Sequence, residues 1–201
     1  MLVLVSGGGT NLQALIDAER AGVLRGGNLA AVVSDREGAY ALERARRAGI
    51  PALVEAPDPS LPRGARRREL SDRLLGLARG RGIGLIILAG FLSILEGEII
   101  GEYAGRIINL HPSLLPKYGG PGMYGERVHR AVLAAGEAES GCTVHLVDGG
   151  TDTGPILLQR RVPVLAGDSP ESLAGRIHGE EHTAIVEAAV LMVKRLAGAA
   201  Y

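Results

Sequence analysis

The sequence predicts an α/β protein built on an open, mostly parallel twisted sheet with helices on both faces, partly antiparallel towards the C-terminal half. Three observations predict it. Short β-rich runs alternate with longer helical ones from the first residues onward. Residues 83–89 (IGLIILA) are apolar on both faces, as a central parallel strand covered by helices must be. The last two strand-like runs follow each other with no helix between them, so they have no crossover and must pair antiparallel.

Taken in order, residues 2–6 form a first strand around Leu2-Val3-Leu4-Val5, a helix follows over 11–21, and a second strand over 29–34 completes a βαβ opening. A helix over 38–48, a short strand over 52–55 and a charged helix over 66–79 lead into the central strand 83–89. Strands over 106–110, 142–147 and 156–164 come next, the last with polar residues alternating along it, and a helix over 172–196 closes the chain. Residues 119–125 (GGPGMYG) read as a mobile glycine-dense loop near the active end.

With 201 residues, 46% hydrophobic and 22% charged, the chain suits one globular domain over 1–201. At this size folding buries roughly 70% of the unfolded surface, so neither disulfides nor a metal is needed. The lone Cys142 cannot form an internal disulfide, and the apolar start without a charged leader argues against a secretory signal, leaving a cytoplasmic location as the expectation. No run approaches the roughly 18 apolar residues of a membrane span. The 22 basic residues balance 22 acidic ones, which argues against nucleic-acid and anionic-membrane partners and leaves small-molecule substrates.

Ser6-Gly7-Gly8-Gly9-Thr10-Asn11-Leu12 lies where the first strand ends and the first helix begins. Backbone amides and the positive helix end meet there, so a phosphate is the expected guest. Leu12 stands where a dinucleotide fingerprint would need glycine or alanine, and no P-loop lysine follows. In Arg106-Ile107-Ile108-Asn109-Leu110-His111-Pro112, Asn109 and His111 are two apart on an extended strand and share a face. Pro112 ends that strand, so the pair stands at its carboxyl end, where α/β sites lie. An amide donor suits a developing oxyanion, and an imidazole stabilises charge or carries a proton near neutral pH. Downstream, Asp148 and Asp152 both occupy a glycine-flanked loop, and spacing does not choose between them.

These motifs, together with Leu88-Ala89-Gly90-Phe91, Ser113-Leu114-Leu115-Pro116, Gly141-Cys142-Thr143-Val144-His145 and Asp152-Thr153-Gly154-Pro155, resemble the phosphoribosylglycinamide formyltransferases of the folate-dependent formyltransferase superfamily. The order and spacing match across nearly the whole chain. The resemblance implies the formyltransferase fold and transfer of a formyl group from 10-formyltetrahydrofolate, as co-substrate without a metal, to the amine of glycinamide ribonucleotide in purine biosynthesis. It implies a catalytic trio of Asn109, His111 and Asp152, choosing Asp152 over Asp148, in which Asn109 and a protonated His111 stabilise the tetrahedral oxyanion while Asp152 raises the histidine's pKa and relays the proton leaving the amine. The first half (1–100) would then be the phosphate-binding one and the second (101–201) the catalytic and folate-binding one. Gly9, Thr10 and Asn11 would hold the substrate phosphate and Glu181 its ribose or amine end. Phe91, Leu92, Ile94, Leu95, Asn109, Val147 and Asp148 would line the folate, with Arg67 the best match to the family's folate-binding arginine beside Arg66 and Arg68. By residue type alone, Glu181 reads as a solvated helix residue and His145 as a core histidine, while His129 and His178 have no assigned role.

A tRNA-directed relative would be expected to carry a further C-terminal domain and a basic surface, and a formate-releasing hydrolase an N-terminal regulatory domain. A catalytically silent nucleotide-binding module would keep the glycine turn without needing the trio. Monomer and homodimer are both compatible with the sequence.

Overall fold

A computed structural model describes residues 1–198. The last three residues of the expected domain, 199–201, lie outside the described residues. The elements run β1 (Leu2–Val5), α1 (Thr10–Arg20), β2 (Ala31–Ser34), α2 (Tyr40–Arg47), β3 (Ala52–Val54), α3 (Arg63–Gly80), β4 (Ile86–Leu88) and α4 (Glu98–Glu102). Then follow β5 (Ile107–His111), α5 (Glu126–Ala134), β6 (Glu139–Leu146), β7 (Ile156–Pro163) and α6 (Pro170–Gly198). All the strands join one seven-stranded sheet in the order β3-β2-β1-β4-β5-β6-β7. The first five are parallel, while β5–β6 and β6–β7 are antiparallel; the missing crossover predicts the second of these pairings, and the first forms although α5 lies between its strands.

Alternation along the buried strands divides the core into two layers. Leu2 and Leu4 of β1, Ala31 and Val33 of β2, and Ile86 and Leu88 of β4 pack with Leu70, Leu74 and Ala78 of α3 and Ile99 of α4. Val3 and Val5 of β1, Val32 of β2 and Ile87 of β4 face the opposite way, against Leu12, Leu15 and Ile16 of α1 and Ile185, Ala188 and Met192 of α6. Both faces of β4 are therefore covered, which is why residues 83–89 show no polar alternation. On β5, Ile107 joins the first layer and Ile108 and Leu110 the second. Asn109 and His111 continue the Ile107 face at the point where the layer opens into a cavity.

Two helices escape the sequence-based expectation. The five residues of α4 are too few to show a helical period. In α5, the buried Val128 and Val132 stand four apart as an amphipathic helix requires, but the helix begins at Gly125 on the edge of the glycine-dense loop, which masked the signal. The long closing helix starts two residues earlier than expected, with Pro170 in its first turn, where proline costs no hydrogen bond. Ser169 and Ser172 exchange hydrogen bonds there, each side-chain oxygen accepting from the other's backbone N–H at 3.0 and 3.2 Å.

The strand order reverses between β1 and β4, which diverge in their connections to opposite sides of the sheet. Ligands of open α/β sheets bind in the crevice outside the carboxyl ends of strands at such a point. Here the crevice lies between the turn after β1 and the segment after β4, tied together by Ser6 N–H donating to Gly90 O at 3.1 Å and Leu92 N–H donating to Ser6 Oγ at 2.8 Å. Among the described residues no helix is long and apolar enough to cross a membrane.

The full burial of Ile87 at the centre of this sheet makes it a sensitive reporter of packing. Replacing Ile87 with Ala should cost about 2–5 kcal/mol, the usual range for truncating a buried isoleucine. Urea unfolding measures this, and a loss below about 1 kcal/mol would contradict a tightly packed two-layer core.

Candidate active site

A cavity of ≈ 1070 Å³ opens at the switch point and reaches from the glycine turn to the end of β5 and the loop after β6. Gly9 sits at φ +72, and a Cβ there would meet the Ala41 Cβ at 2.6 Å. Only glycine satisfies both the left-handed backbone and the contact with α2. Ala41 N–H donates to Gly7 O at 3.0 Å and Arg44 Nε to Gly8 O at 2.8 Å, so the turn is held from outside. No side chain caps α1 at its N-terminus, so its first N–H groups are left for an anion. Gly9, Thr10 and Asn11 all line the cavity. Asn11 does not cap the helix. Its Nδ2 reaches across the cavity floor to Glu181 Oε2 at 3.1 Å, and the pair is buried. Glu181 is thus a buried carboxylate at 5% exposure rather than part of a solvated helix face.

The trio meets at the other end. His111, 4% exposed, donates Nε2–H to Tyr118 O at 2.8 Å and turns Nδ1 to Asp152 Oδ2 at 3.5 Å. Asn109 Nδ2 lies 3.4 Å from Asp152 Oδ1, and Gly120 N–H donates to Asp152 Oδ2 at 3.0 Å. The chain between His111 and α5 therefore closes onto the trio, and the glycine-dense loop expected to be mobile is anchored at its start. Tyr118 and Asp152 occupy left-handed backbone at φ 57 and 58, where non-glycine residues are uncommon, and they hold the imidazole between them.

The electrostatics modify one expectation. Burial pushes the His111 imidazole below its ordinary value, and the opposing pull of the Asp152 carboxylate does not overcome it. The expectation that Asp152 raises this pKa holds for that single interaction and fails for the net effect. For Asp152, burial acts to raise the carboxyl, but His145, His111 and the Gly120 N–H together hold it below the ordinary carboxylate value. The resting pair near neutral pH is a neutral imidazole beside a carboxylate. Burial also drives the Cys142 thiol up to about 12, so it is no thiolate nucleophile.

Phe91, Leu92, Ile94 and Leu95, after β4, and Val147, after β6, form an apolar wall of the same cavity. Leu92 is 44% exposed, which leaves its apolar surface for a flat ligand. Asp148 does not line the cavity. Its Oδ1 accepts from Gly150 N–H at 2.9 Å and Thr153 Oγ at 2.7 Å, so its side chain holds the turn of its own loop. Of the three candidate arginines, Arg68 points elsewhere, whereas Arg66 and Arg67 line the cavity. Arg66 is tethered by Pro59 O at 2.8 Å and Leu61 O at 3.0 Å. Arg67 has no side-chain partner among the described residues and is the one left to meet an anionic ligand group.

Residues 1–189 match the formyl transferase family model. The chain belongs to the formyl transferase family. It is 42% identical over 182 residues to phosphoribosylglycinamide formyltransferase of Escherichia coli (strain K12), covering 90% of this chain and 81% of that protein. It is 46% identical over 193 residues to the trifunctional purine biosynthetic protein adenosine-3 of Drosophila melanogaster, covering 95% of this chain but spanning only 14% of that protein's length. Among solved structures, glycinamide ribonucleotide transformylase 1 from Symbiobacterium toebii matches with a TM-score of 0.85 and 44% identity, over 96% of this chain and 86% of that one.

Against this family background, His145 is the residue that sequence reasoning misplaced. It is buried at 2% exposure, but its ring enters the site, with Nε2 3.1 Å from Asn109 Nδ2 and 3.6 Å from Asp152 Oδ1. The period of β6 held a signal, because Cys142 and Val144 face the second core layer and so turn His145 to the opposite side. His129 and His178 also line the cavity, so four of the chain's five histidines belong to it.

The depressed His111 value sets an acid sensitivity. In the unfolded chain this imidazole takes a proton near its ordinary value of 6.5, whereas the folded protein resists that proton. More protons bind to the unfolded state below that pH, so the stabilising contribution present above 6.5 is lost as pH falls through the folded value. His129, pushed the same way by burial, adds to the effect. The urea midpoint should therefore drop between pH 7 and pH 5, and less steeply for His111→Gln. Identical slopes for the two proteins would refute a depressed His111.

Proposed function

We propose that this chain transfers a formyl group from 10-formyltetrahydrofolate to the primary amine of glycinamide ribonucleotide, a step of purine biosynthesis. The observation that carries this reading is the convergence of Asn109, His111 and Asp152 within 3.4–3.5 Å contacts on the wall of a cavity whose other end is an uncapped helix N-terminus. In this reading residues 7–11 take the phosphate, the buried Glu181 the ribose or amine end, and the apolar wall a pterin, all of them lining the one cavity.

The chemistry needs no enzyme nucleophile. The amine attacks the formyl carbon, the new C–N bond forms, and the carbonyl π electrons move to oxygen as an oxyanion. Asn109 donates to that oxyanion using the N–H that makes only the long 3.4 Å contact with Asp152 at rest. The attacking nitrogen becomes cationic and gives up a proton. The neutral His111, with Nδ1 facing Asp152, accepts it, directly or through the carboxylate. The resulting imidazolium is held by Asp152 and the Tyr118 carbonyl and supplies positive charge beside the oxyanion. Collapse re-forms the carbonyl and breaks the bond to the folate nitrogen, which leaves with the proton that His111 returns. A neutral resting base suits this sequence, because a permanently protonated histidine could not take the amine's proton.

The deciding measurement is the absorbance change on folate deformylation with glycinamide ribonucleotide present or absent. Turnover only with the amine supports transfer, turnover without it indicates a hydrolase, and none in either case indicates a silent binding module. His111→Ala should fold, bind the ribonucleotide, and lose about 100- to 1000-fold in kcat, the scale of removing a stabilising group from an oxyanion site. Undiminished turnover would remove His111 from the mechanism. The acid limb of wild-type kcat/KM should fall below 6.5, the ordinary histidine value, because both His111 and Asp152 titrate low. A limb at or above 7 would contradict the neutral-base mechanism.

A further inference from the structure

We infer that His145 is a positioning residue that orients the Asn109 amide as a hydrogen-bond acceptor, through a tautomer dictated by its own backbone. Its catalytic consequence rests on the function proposed above, whereas the tautomer itself does not. His145 Nδ1 lies 2.8 Å from Leu146 O, an oxygen that can only accept. The proton of a neutral His145 therefore sits on Nδ1, which leaves Nε2 as a lone pair. That lone pair faces Asn109 Nδ2 at 3.1 Å.

The consequence for Asn109 is specific. Its NH2 group stands between two acceptors, His145 Nε2 at 3.1 Å and Asp152 Oδ1 at 3.4 Å, which are themselves 3.6 Å apart. Rotating the amide by half a turn would set its carbonyl oxygen against both a lone pair and a carboxylate, so the two acceptors together exclude that orientation. The shorter contact to His145 fixes the amide plane, and the longer one to Asp152 is the N–H free to move to a developing oxyanion. Antiparallel pairing makes this juxtaposition rigid, because Asn109 and His145 are direct cross-strand partners. His145 touches no open part of the cavity except through this face, being 2% exposed, so it acts through Asn109 and Asp152 rather than on substrate.

The test has two arms. Nitrogen-15 NMR of the wild-type imidazoles at neutral pH should show His145 protonated on Nδ1 and bare on Nε2. A proton on Nε2 would overturn the inference whether or not the protein turns over. In the second arm, His145→Leu should lower kcat about 10- to 100-fold, the scale of one unmet buried hydrogen bond, with both KM values within about threefold of wild type. His145→Gln, which places an amide oxygen near the position of Nε2, should keep kcat within about threefold. Combined with Asn109→Ala, the leucine variant should add less than about threefold to the loss from Asn109→Ala alone, as residues acting through one another do. Full additivity, or a glutamine variant as impaired as the leucine one, would overturn the assignment. Wild-type protein inert with both substrates would instead remove the proposed function and leave the NMR result standing.

Discussion

The site depends on the register between β5 and β6. The antiparallel pairing sets Asn109 opposite His145 and His111 opposite Thr143, so that four polar side chains share the face on which the first core layer opens into the cavity. A slip of one residue would turn Asn109 and His111 into the layer now filled by Ile108 and Leu110, or else bring Cys142 and Val144 to the cavity in place of Thr143 and His145. The register is pinned by the loop that follows. Thr143 Oγ donates to Ser113 O at 2.6 Å and accepts from Leu115 N–H at 3.0 Å, and Gln159 Nε2 on β7 reaches both Leu115 O and Thr143 Oγ at 2.9 Å. Residues 113–115 are thereby strapped to the sheet, and the chain beyond them is aimed so that the Tyr118 carbonyl meets His111.

Burial is what gives these ordinary side chains their properties. A histidine in water beside a carboxylate would hold a proton more tightly than usual. In this site, loss of solvent outweighs the attraction, and the imidazole is left neutral and basic enough to receive a proton only once a cation appears beside it. The Asp152 carboxyl stays below its ordinary value against the same burial, and at rest the Gly120 N–H donates to it at 3.0 Å. The site thus holds a proton acceptor and a negative charge together without an ion pair at rest. At the far end, Glu181 is buried with Asn11 as its hydrogen-bonding partner, which joins the start of α1 to the closing helix α6.

Most of the fold was legible because its signals are local. The apolar run through β4 announces a doubly covered strand, and β6 followed directly by β7 announces antiparallel pairing. What was lost lay beside glycine or was too short for a period to show, as in α5 and α4. In the site, Asn109 and His111 were legible from their spacing, whereas Asp152 and Asp148 were not distinguishable by residue chemistry. The fold separates them, since Asp148 Oδ1 accepts from Gly150 and Thr153 in its own turn while Asp152 points at the imidazole.

The sequence by itself determined the alternation of strands and helices, the glycine-rich turn between β1 and α1, and the face shared by Asn109 and His111, all of which follow from neighbours along the chain. The tertiary structure alone decided that His145 leaves the core for the site, that Glu181 is buried, and that His111 is neutral. Those three properties depend on residues brought together from 36 to 170 positions apart, through strand register, helix packing and the exclusion of water, and the period of β6 gives only the side to which His145 turns.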